Sequence, residues 1–196
     1  MINYSLYPTL LDTFYWYKIK GNIDELLNKI NRVKTPMAEA ALKGVAFETA
    51  VNDALDGVKT IDHYFDQDLI NRVASKLQNH TKKQEFIQRV IPTGIGNVKL
   101  YGFVDYTYPD KYIDLKTTGK YSDGKFKNNN QHGCYSLISP HINEFHYLVT
   151  DFSKLYIESY VPDKAIKDQT IFNITEFCEW LEANRDKITD TKIFGN

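Results

Sequence analysis

The chain has 196 residues, 42% apolar and 25% charged, the balance of a soluble globular protein with one domain and a real core. Its net charge of −1 carries no overall nucleic-acid signature, and no run approaches the ~18 apolar residues of a membrane span. Two widely separated cysteines, Cys134 and Cys178, exclude a zinc knuckle, an iron–sulfur cluster and a disulfide scaffold.

Residues 9–20 put Leu10, Leu11, Phe14, Tyr15, Trp16 and Ile19 on roughly one helical face, and Gly21 stops that helix. Asn22 or Asp24 can cap a second helix carrying Leu26, Leu27, Ile30 and Val33. Thr35-Pro36 opens a third, because proline is tolerated in a first turn, and it runs to about Leu55. Ala40, Ala41, Val45, Phe47, Ala50, Val51 and Ala54 predict that this helix is largely buried, with Glu48 inside it. Leu69, Ile70, Val73 and Leu77 recur at helical spacing from Asp66 to about Asn79. Residues 85–92 read as a strand, and Thr93-Gly-Ile-Gly-Asn97 turns it into a second strand over 98–106. Tyr108-Pro109-Asp110-Lys111 is the next turn and 112–117 the next strand. A loop bearing lysines and glycines leads to a helix from about Asn129 to Ser139. Residues 144–150 and 154–161 make a hairpin around Asp151-Phe152-Ser153. A last helix is expected from Thr175, as its cap, to about Lys187, with Phe177, Trp180, Leu181 and Ile188 on its apolar face. This order predicts a single α/β domain over residues 1–196. Its helical N-terminal segment spans about 1–80, its central mixed sheet about 83–161, and its C-terminal helix about 175–188.

The chemistry concentrates between Lys99 and Tyr121, where two strand-like runs carry one carboxylate each, Asp105 and Asp114. Strand side chains alternate, so Asp114 and Lys116 point the same way while Leu115 turns to the core. The turn at 108–111 can fold the first strand back and bring Asp105 close to Asp114. Two carboxylates and a lysine on one face cost desolvation and repulsion, which a divalent cation with hard oxygen ligands would relieve. An exposed hairpin of alternating charged and apolar residues is the plain alternative. Glu48 is unusual in an apolar helix, although Asn52 and Asp53 allow an exposed polar edge there. Gln131 and Tyr135 are i and i+4 on one helix face, where an amide and a phenol can bind phosphate or hold a metal ligand; a surface pair is the alternative. Residues 18–34 and 111–127 each carry a local charge of +3, compatible with a polyanionic substrate. The cysteine usage fits a reducing cytoplasm, and the opening residues lack the basic region and apolar core of a signal peptide.

Four ordered motifs carry a resemblance: Lys43-Gly-Val-Ala-Phe-Glu48, Gly102-Phe-Val-Asp105, Asp114-Leu-Lys116-Thr117-Thr118 and Gln131-His-Gly-Cys-Tyr135. Over roughly residues 4–160 the chain resembles the PD-(D/E)XK nuclease superfamily, in particular its RecB-like branch. The segment Tyr4-Ser-Leu-Tyr-Pro to Tyr17 looks like that branch's N-terminal helical segment. The resemblance implies a restriction-endonuclease-like core and Mg²⁺ or Mn²⁺ as cofactor. It implies that Asp105, Asp114, Glu48 and the Leu115 carbonyl hold the metal and that Lys116 orients or activates the attacking water. Gln131 and Tyr135 would support the site and touch substrate phosphate, with Thr117, Lys120, Lys125 and Lys127 as further substrate contacts. Many relatives carry a histidine where this chain has Phe47-Glu48, and the iron–sulfur relatives use four cysteines that it lacks.

The function expected from this is metal-dependent hydrolysis of DNA phosphodiester bonds, by an exonuclease of recombination, repair or phage DNA processing. A helicase, recombinase or annealing protein is the kind of protein partner implied, with no membrane association. A catalytically silent nuclease-fold module that binds DNA or a protein partner is the alternative.

Overall fold

The structure, a computed structural model, describes residues 3–58 and 64–195. Its elements run β1 (Tyr4–Leu6), α1 (Pro8–Lys20), α2 (Ile23–Ile30), α3 (Glu39–Leu55), α4 (Gln67–Leu77), β2 (Lys82–Thr93), β3 (Gly96–Thr107), β4 (Lys111–Thr117), α5 (Gln131–Ile138), β5 (Glu144–Thr150), β6 (Leu155–Tyr160) and α6 (Lys164–Ala183). Two short 3-10 turns, Arg185–Lys187 and Thr191–Phe194, follow. The result is the expected α/β fold, a mixed six-stranded sheet flanked by helices.

Local chemistry sets the helix ends. Asn22 Oδ1 accepts from the Glu25 amide at 3.2 Å, so Asn22 rather than Asp24 caps α2. Pro8 opens α1, and Gly21 closes it at φ 74°, a left-handed conformation that favours glycine. Four expectations are corrected. Residues 4–6 are a strand, not part of an N-terminal helix. The third helix starts at Glu39 rather than Pro36. It is also not largely buried: only Phe47 and Val51 are fully buried, Ala50, Ala54 and Leu55 pack half-buried against the core, and Val45 is exposed. The C-terminal helix starts at Lys164, capped by Asp163, whose Oδ1 accepts from the Ile166 amide at 2.8 Å. Thr175 lies in its middle, and its hydroxyl donates back to the Ile171 carbonyl at 2.9 Å.

β3 is the hub of the sheet. β2 pairs with it antiparallel along its length, so β1 and β4 share its other edge. β1 takes the start of that edge in parallel, at Val98–Leu100, and β4 takes the end antiparallel, at Tyr106 and Thr107. Between them, β3 residues 101–105 have no strand partner on that edge among the described residues. β5 then pairs with β4 in parallel, and β6 with β5 antiparallel.

Two apolar layers cover the sheet. Phe14, Leu26, Cys134, Tyr135 and Phe177 of α1, α2, α5 and α6 pack on Val98, Leu100, Val104, Tyr112, Phe145 and Tyr147. Phe47, Val51, Leu69, Ile70 and Leu77 of α3 and α4 pack on Tyr106, Ile113, Leu115 and Leu148. Tyr112 and Leu115 thus belong to opposite layers, as strand alternation requires. Among the described residues no helix is long and apolar enough to cross a membrane.

One buried group gives the first layer a pH dependence. His132 Nδ1 meets the Tyr147 hydroxyl at 3.1 Å, and its ring stacks on Tyr160 at 4.3 Å. Burial holds its pKa down to about 4, although Glu158 pulls it the other way. In the unfolded chain the ring titrates near 6.5. Above that pH both states are neutral and stability is at its full value. Below it the unfolded chain binds a proton that the folded chain refuses, so stability falls as pH drops towards 4, by about 3 kcal/mol in all. Urea midpoints at pH 7 and pH 4.5 should therefore differ more in the wild type than in His132→Gln; equal differences would show that His132 does not carry the effect.

Candidate active site

Asp105, near the end of β3, and Asp114, in the middle of β4, face each other across the fork where these strands join. The pairing Tyr106–Ile113 continues in register to Asp105 and Asp114. No hydrogen-bonded bridge forms at that step. Instead Asp105 Oδ2 accepts from the Leu115 amide at 3.0 Å, taking the place of a backbone partner. Asp114 is buried, and its Oδ2 meets the Lys116 ammonium at 2.7 Å, so the two share a face as strand alternation demands. Gln131, at the first turn of α5, donates its amide to Asp114 Oδ1. Tyr135, one turn on, donates its hydroxyl to the Phe103 carbonyl at 2.6 Å, on the unpaired edge of β3. Glu48, on α3, accepts from the Gln84 side-chain amide at 3.1 Å.

All six of these residues line one cleft of about 530 Å³, together with Leu115, Gly102, Phe103, Tyr101, Tyr7 and Arg32. The other expected contacts lie elsewhere. Thr117 sits under α3, where a Cβ on Gly44 would come within 2.6 Å of its hydroxyl. Lys125 donates to Thr118 Oγ1 and, at 2.6 Å, to the Lys120 carbonyl. Lys127 lines a second cleft of about 570 Å³, with Lys18, Asn130 and His132. The structure therefore brings Glu48, Asp105, Asp114, Leu115, Lys116, Gln131 and Tyr135 together. It does not bring Thr117, Lys120, Lys125 or Lys127 into their cleft.

The electrostatics are those of crowded carboxylates. Burial, then the Asp114 charge, pushes Asp105 up to about 8, with Glu48 adding to the rise. Glu48 is raised by burial and then by Asp114, against the lowering effect of Gln84. Burial alone would lower Lys116, but Asp114 and Asp105 outweigh it and raise its pKa, so it stays an ammonium. One buried oxygen in the cleft, Gln131 Oε1, has no hydrogen-bond donor; Asp114 Oδ2 is met by the Lys116 ammonium at 2.7 Å. Among the described residues no three His, Cys, Asp or Glu side chains gather closely enough to ligate an ion by themselves. The Gln84 amide stands between Glu48 and Asp105, and Lys116 stands on Asp114. The chemistry of the donors still suits a hard divalent cation: clustered carboxylates, two of them raised by burial and by the Asp114 charge, and a buried Gln131 oxygen without a donor.

Two residues of the site were not expected. Gln84 lies opposite Asp105 on β2 and donates to both Asp105 Oδ1 and Glu48 Oε1 at 3.1 Å. Its backbone is left-handed at φ 49°, which costs a non-glycine residue energy and breaks the ladder there. Nothing in the spacing of Lys83-Gln84-Glu85 signals this. Asp12, on α1, accepts from the Asn130 amide at 2.6 Å and so ties down the start of α5, where Gln131 sits. A carboxylate inside the apolar run Leu10-Leu11-Asp12-Thr13-Phe14 was a signal of the same kind as Glu48.

At Gly102 the Tyr135 side chain of α5 packs closely on β3. A Cβ there would lie 2.8 Å from the Tyr135 hydroxyl and 3.0 Å from its ring. Gly102→Ala should cost about 1–3 kcal/mol, the scale of overpacking a tight contact, read as a shift in the urea midpoint. Restoration of that midpoint in Gly102→Ala/Tyr135→Phe, which removes the hydroxyl, would locate the clash; no restoration would place it elsewhere.

No family model matches the chain, and no curated protein matches its sequence. Solved structures share its fold. The protein SSO0001 superposes with a TM-score of 0.57 at 12% identity, over 94% of this chain and 80% of that one. A candidate exonuclease from Eubacterium rectale gives 0.56 at 13% identity, over 94% and 83%.

Proposed function

We propose that this chain is a metal-dependent DNA nuclease that hydrolyses phosphodiester bonds, with Mg²⁺ or Mn²⁺ as cofactor. The observation that supports this most is the gathering, in one cleft, of two facing aspartates, a glutamate from a helix and a lysine on the second aspartate. The fold shared with the Eubacterium rectale protein points the same way, and exonuclease action is the finer reading it suggests. Asp105, Asp114 and Glu48, with the Leu115 carbonyl, would hold the ion. When bound it would make water a nucleophile at neutral pH and offset charge on the phosphate. Lys116 pairs with Asp114 at 2.7 Å and would orient the attacking water and offset charge on the phosphate. Gln131 fixes the Asp114 carboxylate. Tyr135 spends its proton on the Phe103 carbonyl and so acts as a positioning residue for the edge of β3. Lys120, Lys125 and Lys127 are left as phosphate contacts outside the cleft.

The same contacts favour a second reading. Gln84 bridges Glu48 and Asp105, and Lys116 pairs with Asp114, so protein donors meet all three carboxylates, as in a silent nuclease-fold module. Removing the metal separates the two readings. Linear duplex DNA should be degraded in Mg²⁺ or Mn²⁺, spared in EDTA, and degraded again when excess Mg²⁺ is restored. Intact DNA in both metals would establish the silent module.

A further inference from the structure

We propose that the open face of β2 and β3 beside the cleft is a stacking platform for the unpaired bases of a DNA strand, so that the substrate reaches the carboxylates as a single strand. The inference rests on the nuclease reading and names its substrate class. Strand alternation puts Tyr101, Phe103 and Asp105 on one face of β3. The pairing of β2 sets Gln88 beside Tyr101 and Phe86 beside Phe103, with Gln84 following beside Asp105. A row of rings therefore leads to the carboxylate in steps of about 6.7 Å, two strand residues each. Phe86 and Phe103 lie 5.2 Å apart and are 49% and 56% exposed, and Tyr101 lies 6.3 Å from Phe86. Among the described residues, the apolar cluster under α3 and α4 includes Tyr106 and residues of β4, β5 and β6 but not Phe86, Tyr101 or Phe103; Phe86 and Phe103 stand exposed, and Tyr101 is half-buried beside Tyr7 at 5.8 Å.

Two features point to a nucleic-acid strand as the occupant. The row is continuous with the cleft, since Tyr101 and Phe103 line both. Cations flank it where phosphates would run: the Lys99 ammonium lies 5.9 Å from the Tyr101 ring, and Arg32 Nη2 reaches the Tyr101 hydroxyl at 3.3 Å while its Nε holds Asp190. Aromatic rings with basic groups alongside bind single strands without sequence preference, whereas paired bases keep their faces stacked on each other.

The test compares two labelled strands of equal length and charge, a dT 20-mer and its abasic counterpart, by fluorescence anisotropy in EDTA. The wild type should bind the dT strand at least about tenfold more tightly, the scale of one stacked base. Phe86→Leu/Phe103→Leu should bring that ratio close to one while its thermal midpoint stays near that of the wild type, because both rings are exposed. In Phe86→Trp, emission of the new indole should be quenched by the dT strand and not by the abasic one. Equal wild-type affinity for both strands, or a ratio untouched by the double substitution, would overturn the platform. So would a wild-type dimer that the double substitution dissociates with the dT preference intact, because the face would then be a self-interface. Binding is read without metal, so the nuclease reading stands or falls separately, on Mg²⁺-dependent cleavage.

Discussion

Asp114→Asn should lower Mg²⁺-dependent DNA cleavage by roughly 10³-fold or more, the scale on which residues that act as a unit fail together. The substitution keeps shape and removes charge. The oxygen of the introduced side-chain amide can still accept from Gln131, so the fold around α5 is retained. What disappears is the charge that pairs with Lys116 and that raises Asp105 and Glu48. DNA binding, measured by anisotropy in EDTA, should persist or tighten, because a carboxylate that repels phosphate has gone. Cleavage at the wild-type rate would remove Asp114 from catalysis. Loss of cleavage together with loss of binding would show that the substitution acts on the fold.

Phe47→Ala should destabilise the protein by about 3–5 kcal/mol, the cost of emptying a fully buried aromatic site. Phe47 has no exposed surface and meets Phe65 and Phe152 edge-on, at 5.2 and 5.6 Å. It is also, with Val51, one of only two buried residues of α3, so it holds that helix to the sheet one residue away from Glu48. Cleavage should therefore fall beyond what the lost folded fraction explains, while Phe47→Leu should keep most of both. The measurement is a urea titration alongside the cleavage assay. A loss under about 1 kcal/mol would mean that the site repacks and that α3 is held by other contacts.

The site was legible where strand period alone fixes geometry. Asp114-Leu115-Lys116 could be read because alternation leaves one arrangement for three residues, and the turn at 108–111 then forces Asp105 opposite. Glu48 and Asp12 were equally legible in principle, each a carboxylate in an apolar helix. Gln84 was not, because a neutral amide in a strand gives no pattern and its left-handed backbone follows from its surroundings. The helices show the same divide. α3 has the composition of a buried helix, yet its first alanines face solvent; alanine supports the helix by propensity without needing burial. α6 begins eleven residues before Thr175, because its first turns are polar and its buried stripe starts only at Thr170. β1 is three residues long, and nothing local makes it a strand. It forms because β3 offers it an edge.

That borrowed edge has a consequence for how the molecule comes together. The β2–β3 hairpin closes over a tight turn at residues 94–95, a contact cheap in chain entropy. The strand at Tyr4–Leu6 must instead find Val98–Leu100, and Asn3 its partner Asn97, 94 residues further on. It must also meet Glu182 through the Tyr4 hydroxyl, and the Phe194 ring. Non-local contacts of this kind close after local ones. Tyr7 and Pro8, directly behind that strand, form one wall of the cleft. The hairpin with its rings and one aspartate can exist early, but the chamber is walled only when distant parts of the chain have met. A chain still folding thus carries the chemical groups without the enclosure that makes them act together.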